Sequence, residues 1–330
     1  MDLYLDFDNN SRRRRRGRRR RNQSRGPLIV GIILALVIVI GGGAFGATKY
    51  MAYRKAQQEK ARKLAEARKI VTVMIPEGYS IDMMAKRLEE QGVFKADEFI
   101  AAVKNTDQYK NAFIKDIKTK KGVKYKLEGY LYPDTYKIYK SSKPEDLVQK
   151  MLDNFDQKYA ALKKDYKGKR SMTEIITIAS MIEREAKVES ERPVIAGVIE
   201  NRLVRKMKLQ IDPTVLYTTT KGLYNAKKVY YKDLKKKTVY NTYLISGLPA
   251  GAICSPAESS IKAAMNPKKH DYLYYRTDGS KKGTHVFTKT FNEHKNVTTK
   301  KSKSTKTKKN TKSTKSKNST NSTKTTNAKS

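Results

Sequence analysis

Residues 173–217 read TEIITIASMIEREAKVESERPVIAGVIENRLVRKMKLQIDPTVLY. Ile175, Ile178, Met181 and Ile182 recur at helical spacing, which predicts a helix over 173–188 with one apolar stripe. Glu185 falls on that stripe, with Ile182 at i−3, Met181 at i−4 and Ile178 at i−7. Glu183 points elsewhere, because positions i and i+2 do not share a helix face. Its own neighbours are Ser180, Ala179 and, at i+4, Lys187. A carboxyl held against apolar surface has its pKa raised and keeps its proton near neutral pH. That is the state a general acid needs. The same pattern fits a structural glutamate paired with Arg184, Arg192 or Arg202, and spacing alone leaves both readings open.

Outward from this helix, Val194, Ile195, Val198, Ile199 and Leu203 predict a second amphipathic helix over 191–205. Asp212-Pro213 has the form of a turn. A loop- and strand-rich region follows, with Asn241-Thr242-Tyr243, the Gly247–Gly251 loop and a strand candidate at Tyr272–Tyr275. Upstream, Leu147, Met151, Leu152 and Phe155 predict a helix over 144–159. The stretch LEGYLYPDTY (127–136) carries Tyr130, Tyr132 and Tyr136, which suit core packing or a sugar-stacking face. Ile70–Ile75 alternates as a strand, Pro76-Glu77-Gly78 turns, and short helices are expected from Ser80 to Gly92 and over 96–104. This small α+β module, residues 70–118, resembles the LysM-like fold, which implies glycan binding.

The chain holds 72 Lys+Arg against 32 Asp+Glu, a formal net charge of +40. Ten Arg precede residue 27 and eleven Lys lie between 300 and 329. Nucleic-acid binding is the reflex reading of such ends, but Pro27–Ala47 follows the arginines with about twenty uncharged residues. That length crosses a hydrocarbon core and exceeds a cleaved signal's apolar region. The expectation is a single-pass cell-membrane anchor over 27–47, with residues 1–26 cytoplasmic by the positive-inside rule and the rest extracytoplasmic. Residues 48–69 lack Gly and Pro and should continue as a charged helical stalk. Residues 299–330 are nearly all Lys, Ser, Thr and Asn, expected to be disordered and to attract envelope polyanions. One cysteine, Cys254, precludes an intramolecular disulfide, and no Cys/His/Asn pattern among His270, His285 and His294 makes it a nucleophile.

HExxH, CxxC, GxSxG and phosphate-loop motifs are all missing, so no metal or cofactor is expected. There remain one acid/base carboxylate, Glu185, and polar side chains able to line a groove: Asn201, Gln210, Asp212, Asn241 and Tyr243. That set suits cleavage of a sugar chain.

The segments IASMIEREAKVESERPVIAGVIENRL, LQIDPTVLY, YNTYLISGLPAGAICSPAESSIKAAMNP and YLYYRTDGSKKGTHVF closely resemble the YceG-like family of endolytic murein transglycosylases. The resemblance covers roughly residues 70–295. It implies an α+β catalytic domain over 119–298 after the anchor, the stalk and the LysM-like module. The family's catalytic glutamate is the second Glu of a Glu-Lys-Glu triplet, which implies Glu185 in Glu183-Arg184-Glu185. It further implies lytic cleavage of peptidoglycan glycan strands between N-acetylmuramic acid and N-acetylglucosamine, leaving 1,6-anhydro ends and ending strand elongation. The implied partners are peptidoglycan synthases and the elongation and division machinery. Arg184 stands where Lys is commoner and Ala186 where Thr is commoner, and both charged tails lie outside the shared part. A hydrolytic muramidase and a non-catalytic wall-binding scaffold are the competing readings.

Overall fold

The computed structural model of the chain describes residues 26–226, 228–280 and 282–297. The arginine block and the 299–330 tail lie outside the described residues. The chain divides into two compact units, one up to Glu66 and one from Ala67 onward.

The first unit contributes one helix, α1 (Gly26–Ala67), of 42 residues. From Leu28 it is long and apolar enough to cross a membrane, and its large apolar side chains from Leu28 to Leu64 are exposed. It runs without a break from the apolar stretch into the charged one, where Glu59 and Lys63 pair at 2.8 Å one turn apart.

In the second unit the order is β1 (Ile70–Met74), α2 (Ile81–Glu90), α3 (Ala96–Lys104), β2 (Thr135–Tyr139), α4 (Pro144–Lys163), α5 (Met172–Glu185) and α6 (Arg192–Val204). Then follow α7 (Asp212–Thr219), α8 (Tyr231–Leu234), α9 (Glu258–Met265), β3 (Tyr274–Thr277), β4 (His285–Thr288) and α10 (Phe291–Asn296). The architecture is α+β, with two separate two-stranded sheets among the described residues. Local signals explain most boundaries. Ser80 caps α2 by accepting from Met83 N, and Gly92 follows its end at φ +65. Ser171 and Glu174 form a reciprocal capping box on α5, as Thr290 and Glu293 do on α10.

The strand expected at the start of the 70–118 module pairs antiparallel with β2, from Ile70↔Tyr139 to Met74↔Thr135. Its partner therefore lies beyond residue 118, and the strand–helix–helix–strand unit closes only at Tyr139. One core continues across that point, from Val73, Met84 and Leu88 through Leu127 and Leu131 to Phe155 and the isoleucines of α5. Tyr130, Tyr132 and Tyr136 are buried in it, and Tyr130 packs edge-on to Phe155 with ring centroids 5.2 Å apart. They are core residues and present no sugar-stacking face.

Helix α5 is at the centre of the unit, with every residue from Ile175 to Ile182 buried. Its surroundings tolerate no added atom at Gly129, which sits at φ +89. A Cβ there would lie 2.6 Å from Ala252 Cβ and 2.8 Å from Ile176 Cγ2.

Candidate active site

Helix α5 ends at Glu185, three residues before the expected Val188, because Ala186 turns to extended backbone (φ −83, ψ 108). Its last three residues go to three different places. Glu183 Oε2 accepts from Ala257 N at 3.0 Å and from Ser260 Oγ at 2.7 Å, at the start of α9. Its Oε1 pairs with Arg192 at 3.3 Å. Arg184 donates to Gly78 O at 3.2 Å and lies 3.8 Å from the centroid of the Tyr224 ring. Glu185 alone faces a cavity of about 310 Å³.

Glu185 is half-buried on the cavity wall. Its pKa is raised to about 7, first by burial and then by the nearby Asp212 carboxylate, with a hydrogen bond from Tyr275 working against both. The arginine pairing that a structural glutamate would need goes elsewhere. Arg192 pairs with Glu183, and Arg202 donates to the carbonyls of Leu273 (2.6 Å), Leu209 (2.6 Å) and Lys208 (3.2 Å).

Gln210, Asp212 and Tyr243 line the same cavity as Glu185. A buried hydroxyl network holds them: Ile211 N donates to Thr242 Oγ1 at 2.9 Å, and Thr214 Oγ1 is 2.9 Å from Thr242 Oγ1. Gln210 sits in the left-handed region at φ +52, with its N–H on Thr242 O at 3.1 Å. For a residue with a side chain that conformation costs on the order of 1 kcal/mol. Tyr243 donates to Asp212 Oδ1 at 2.6 Å, and burial beside that carboxylate pushes the phenol's pKa upward.

Asn201 and Asn241 do not join the cavity; both amides are spent on backbone carbonyls. Asn201 Nδ2 donates to His270 O at 2.7 Å and Tyr272 O at 3.0 Å. Asn241 Nδ2 donates to Leu234 O at 3.0 Å and Lys236 O at 2.8 Å. Part-buried carbonyls without a helix or sheet partner take such donors, and this use occupies the two side chains.

The cavity's other wall comes from β3, β4 and α10: Tyr274, Tyr275, Arg276, His285, Phe291 and His294. The expected strand at 272–275 is displaced two residues, to Tyr274–Thr277. Tyr275 is the residue that the sequence pattern did not single out, although it hydrogen-bonds Glu185. Burial and the Glu185 carboxyl hold its phenol far above its ordinary pKa, so it is a hydrogen-bond donor. His285 is held by Glu191, with Nδ1 at 2.7 Å from Oε2 and its backbone N at 2.9 Å from Oε1. Cys254 is fully buried with its Sγ 3.3 Å from Ser180 O, and burial raises the thiol well above its ordinary pKa. It is a packing residue.

Known proteins carry the same arrangement of sequence. The chain is 35% identical over 236 residues to a Bacillus subtilis protein named endolytic murein transglycosylase, covering 69% of this chain and 64% of that one. A Streptococcus pneumoniae protein of the same name is 35% identical over 225 residues, covering 63% of this chain and 41% of its own length. The chain thus spans less than two thirds of either relative. A crystal structure of a YceG-like protein from Listeria monocytogenes superposes with a TM-score of 0.62 at 34% identity, covering 69% of this chain and 76% of that one. The YceG-like family model matches residues 35–300, and the chain belongs to that family.

Proposed function

We propose that the chain is a membrane-anchored enzyme that cuts peptidoglycan glycan strands internally, with Glu185 as its acid and base. The observation that carries the reading is the Glu185 carboxyl, facing a 310 Å³ cavity with a pKa of about 7 and a phenol hydrogen bond to orient it. The names of the relatives supply the substrate class. In the lytic reaction the neutral carboxyl gives its proton to the glycosidic oxygen as the bond to C1 breaks. The resulting carboxylate takes the proton from the muramic C6 hydroxyl, whose oxygen closes on C1 to form a 1,6-anhydro ring. Water is not consumed, and a pKa near neutrality lets one group serve in both directions.

One observation favours a second reading. Asp212 lies close enough to Glu185 to raise its pKa and faces the same cavity. A second carboxylate there can serve as the base that activates a water, which is the hydrolytic muramidase outcome. Mass spectrometry of digested sacculi distinguishes the two: anhydro ends for the lyase, reducing ends for the hydrolase, neither for a scaffold. Glu185→Gln keeps the size but cannot donate the proton. It is expected to lower turnover by at least roughly 10²–10⁴-fold, and full activity in a folded Glu185→Gln variant would remove the residue from the mechanism.

The proposal extends to placement. In it the arginine block stays in the cytoplasm and α1 spans the cell membrane, which leaves the second unit on the outer side. The strand–helix–helix–strand unit starting at Ile70 would hold glycan as a LysM-like module. A cut near the membrane would then end strand elongation where synthases and the division machinery work, and the lysine-rich tail would meet envelope polyanions.

A further inference from the structure

Residues 228–237 read KVYYKDLKKK, five lysines to one aspartate, around two adjacent tyrosines. Tyr230 and Tyr231 are 51% and 74% exposed, unlike the buried tyrosines 130, 132, 136, 217 and 240. Lysines lie over their rings: Lys228 and Lys232 at 5.0 and 5.9 Å from the Tyr230 centroid, and Lys235 at 4.7 Å from that of Tyr231. The segment's one carboxylate, Asp233, is turned inward. It accepts from Tyr230 N at 3.2 Å and pairs with Lys236 at 3.0 Å. Asn241 clamps the segment from below through the carbonyls of Leu234 and Lys236. The tyrosines are therefore held outward by a hydrogen-bonded scaffold, with cationic ammonium groups around them.

We propose that this ridge docks on an anionic lipid surface. Two features of the ridge fit different layers of a bilayer. Lysines are drawn to the negative potential of the headgroups, and tyrosine rings gain by entering the interface, where an apolar body and a polar hydroxyl are both accommodated. A hydrated polyanion would satisfy the lysines but offers the rings no apolar layer, so the pair of exposed tyrosines decides for lipid. The same chain carries a helix long and apolar enough to cross a membrane. A bilayer-bound helix would hold the ridge at a high effective concentration over lipid, so weak individual contacts suffice. The inference goes beyond the glycan-cleaving reading and does not depend on it.

The chain contains no tryptophan, so Tyr231→Trp in the full chain places the one indole on the ridge, excited selectively over the tyrosines. In vesicles containing phosphatidylglycerol with brominated acyl chains, its emission should shift to the blue and be quenched. Both effects should fade in pure phosphatidylcholine and at high salt. Replacing Lys228, Lys232 and Lys235 by Gln in that background should abolish the quenching, at roughly fivefold per lysine in the docking equilibrium. Circular dichroism checks that each variant is folded. Emission that is unquenched in the anionic vesicles overturns the proposal, and so does quenching that survives loss of the three lysines. A blue shift with soluble polyglycerol phosphate but none with vesicles would assign the ridge to wall polymer instead, and likewise overturns it.

Discussion

Glu185 is governed by two neighbours that act in opposite directions. Tyr275 donates to its ionised form and lowers the pKa, while the Asp212 charge raises it. In the proposed reaction the acid must be protonated, so kcat/KM should fall on the alkaline side around pH 7. Tyr275→Phe removes the opposing hydrogen bond and should move that limb to higher pH. Asp212→Asn removes the charge and should move it to lower pH, each by about one pH unit. Profiles of the two variants that shift the same way would show that Glu185 is not the titrating group. Glu185 is legible in the sequence as a candidate acid, from its place after Ile178, Met181 and Ile182. Tyr275 is not, since it reaches Glu185 from a strand 90 residues further on, and local periodicity carries no such information. Asn201 and Asn241 misled for a related reason: an amide that serves backbone carbonyls looks, in sequence, like one that serves a ligand.

The end of α5 is a junction. Glu183 caps α9 and neutralises Arg192, and Arg184 fastens the turn at Gly78. Glu183 and Arg192 are both nearly buried, so removing one partner strands the other charge. Glu183→Ala should therefore cost about 3–5 kcal/mol in stability, measured by denaturant unfolding. Any fall in activity should follow the folded fraction. An unchanged midpoint would mean that the pair contributes nothing to holding α9. Helical periodicity located α2, α3, α4, α5 and α6 correctly, because each has an apolar face or a cap to signal it. α5 ends three residues before the apolar pattern predicts, since its stop depends on Ala186 leaving helical backbone. β2 was hidden in a stretch of tyrosines whose spacing suits core and surface alike.

Across the second unit, Glu128 ties distant parts together. It is buried, accepts from Ile81 N at 3.2 Å at the start of α2, and accepts from Tyr217 at 2.8 Å. Burial raises its pKa from 4.5 to about 8, with Tyr217 lowering it and Asp82 raising it. Between those values the folded state binds more protons than the unfolded one, so stability falls as pH rises through that window. Glu185 contributes with the same sign up to about pH 7. Chemical denaturation at pH 5 and pH 8 should show a loss of up to a few kcal/mol, and Glu128→Gln should remove the larger part of it. An unaltered slope in that variant would mean that Glu128 is charged when folded. The α+β class and a helix long and apolar enough to cross a membrane could be read directly from the chain, whereas the joining of residues 70–118 to the segment beyond them could not. Pairing of β1 with β2 is a contact between segments about 65 residues apart, beyond the reach of any local pattern.

That pairing also sets the order in which a growing chain can settle. β1 is made early and has no strand to join until Tyr139 has been synthesised. Glu183 must wait longer still, for Ala257 and Ser260. A chain delivered from its N-terminus thus holds its first strand edge and its α2 face open while more than half the unit is still to come. During that interval it is exposed to proteases and to edge pairing with other chains.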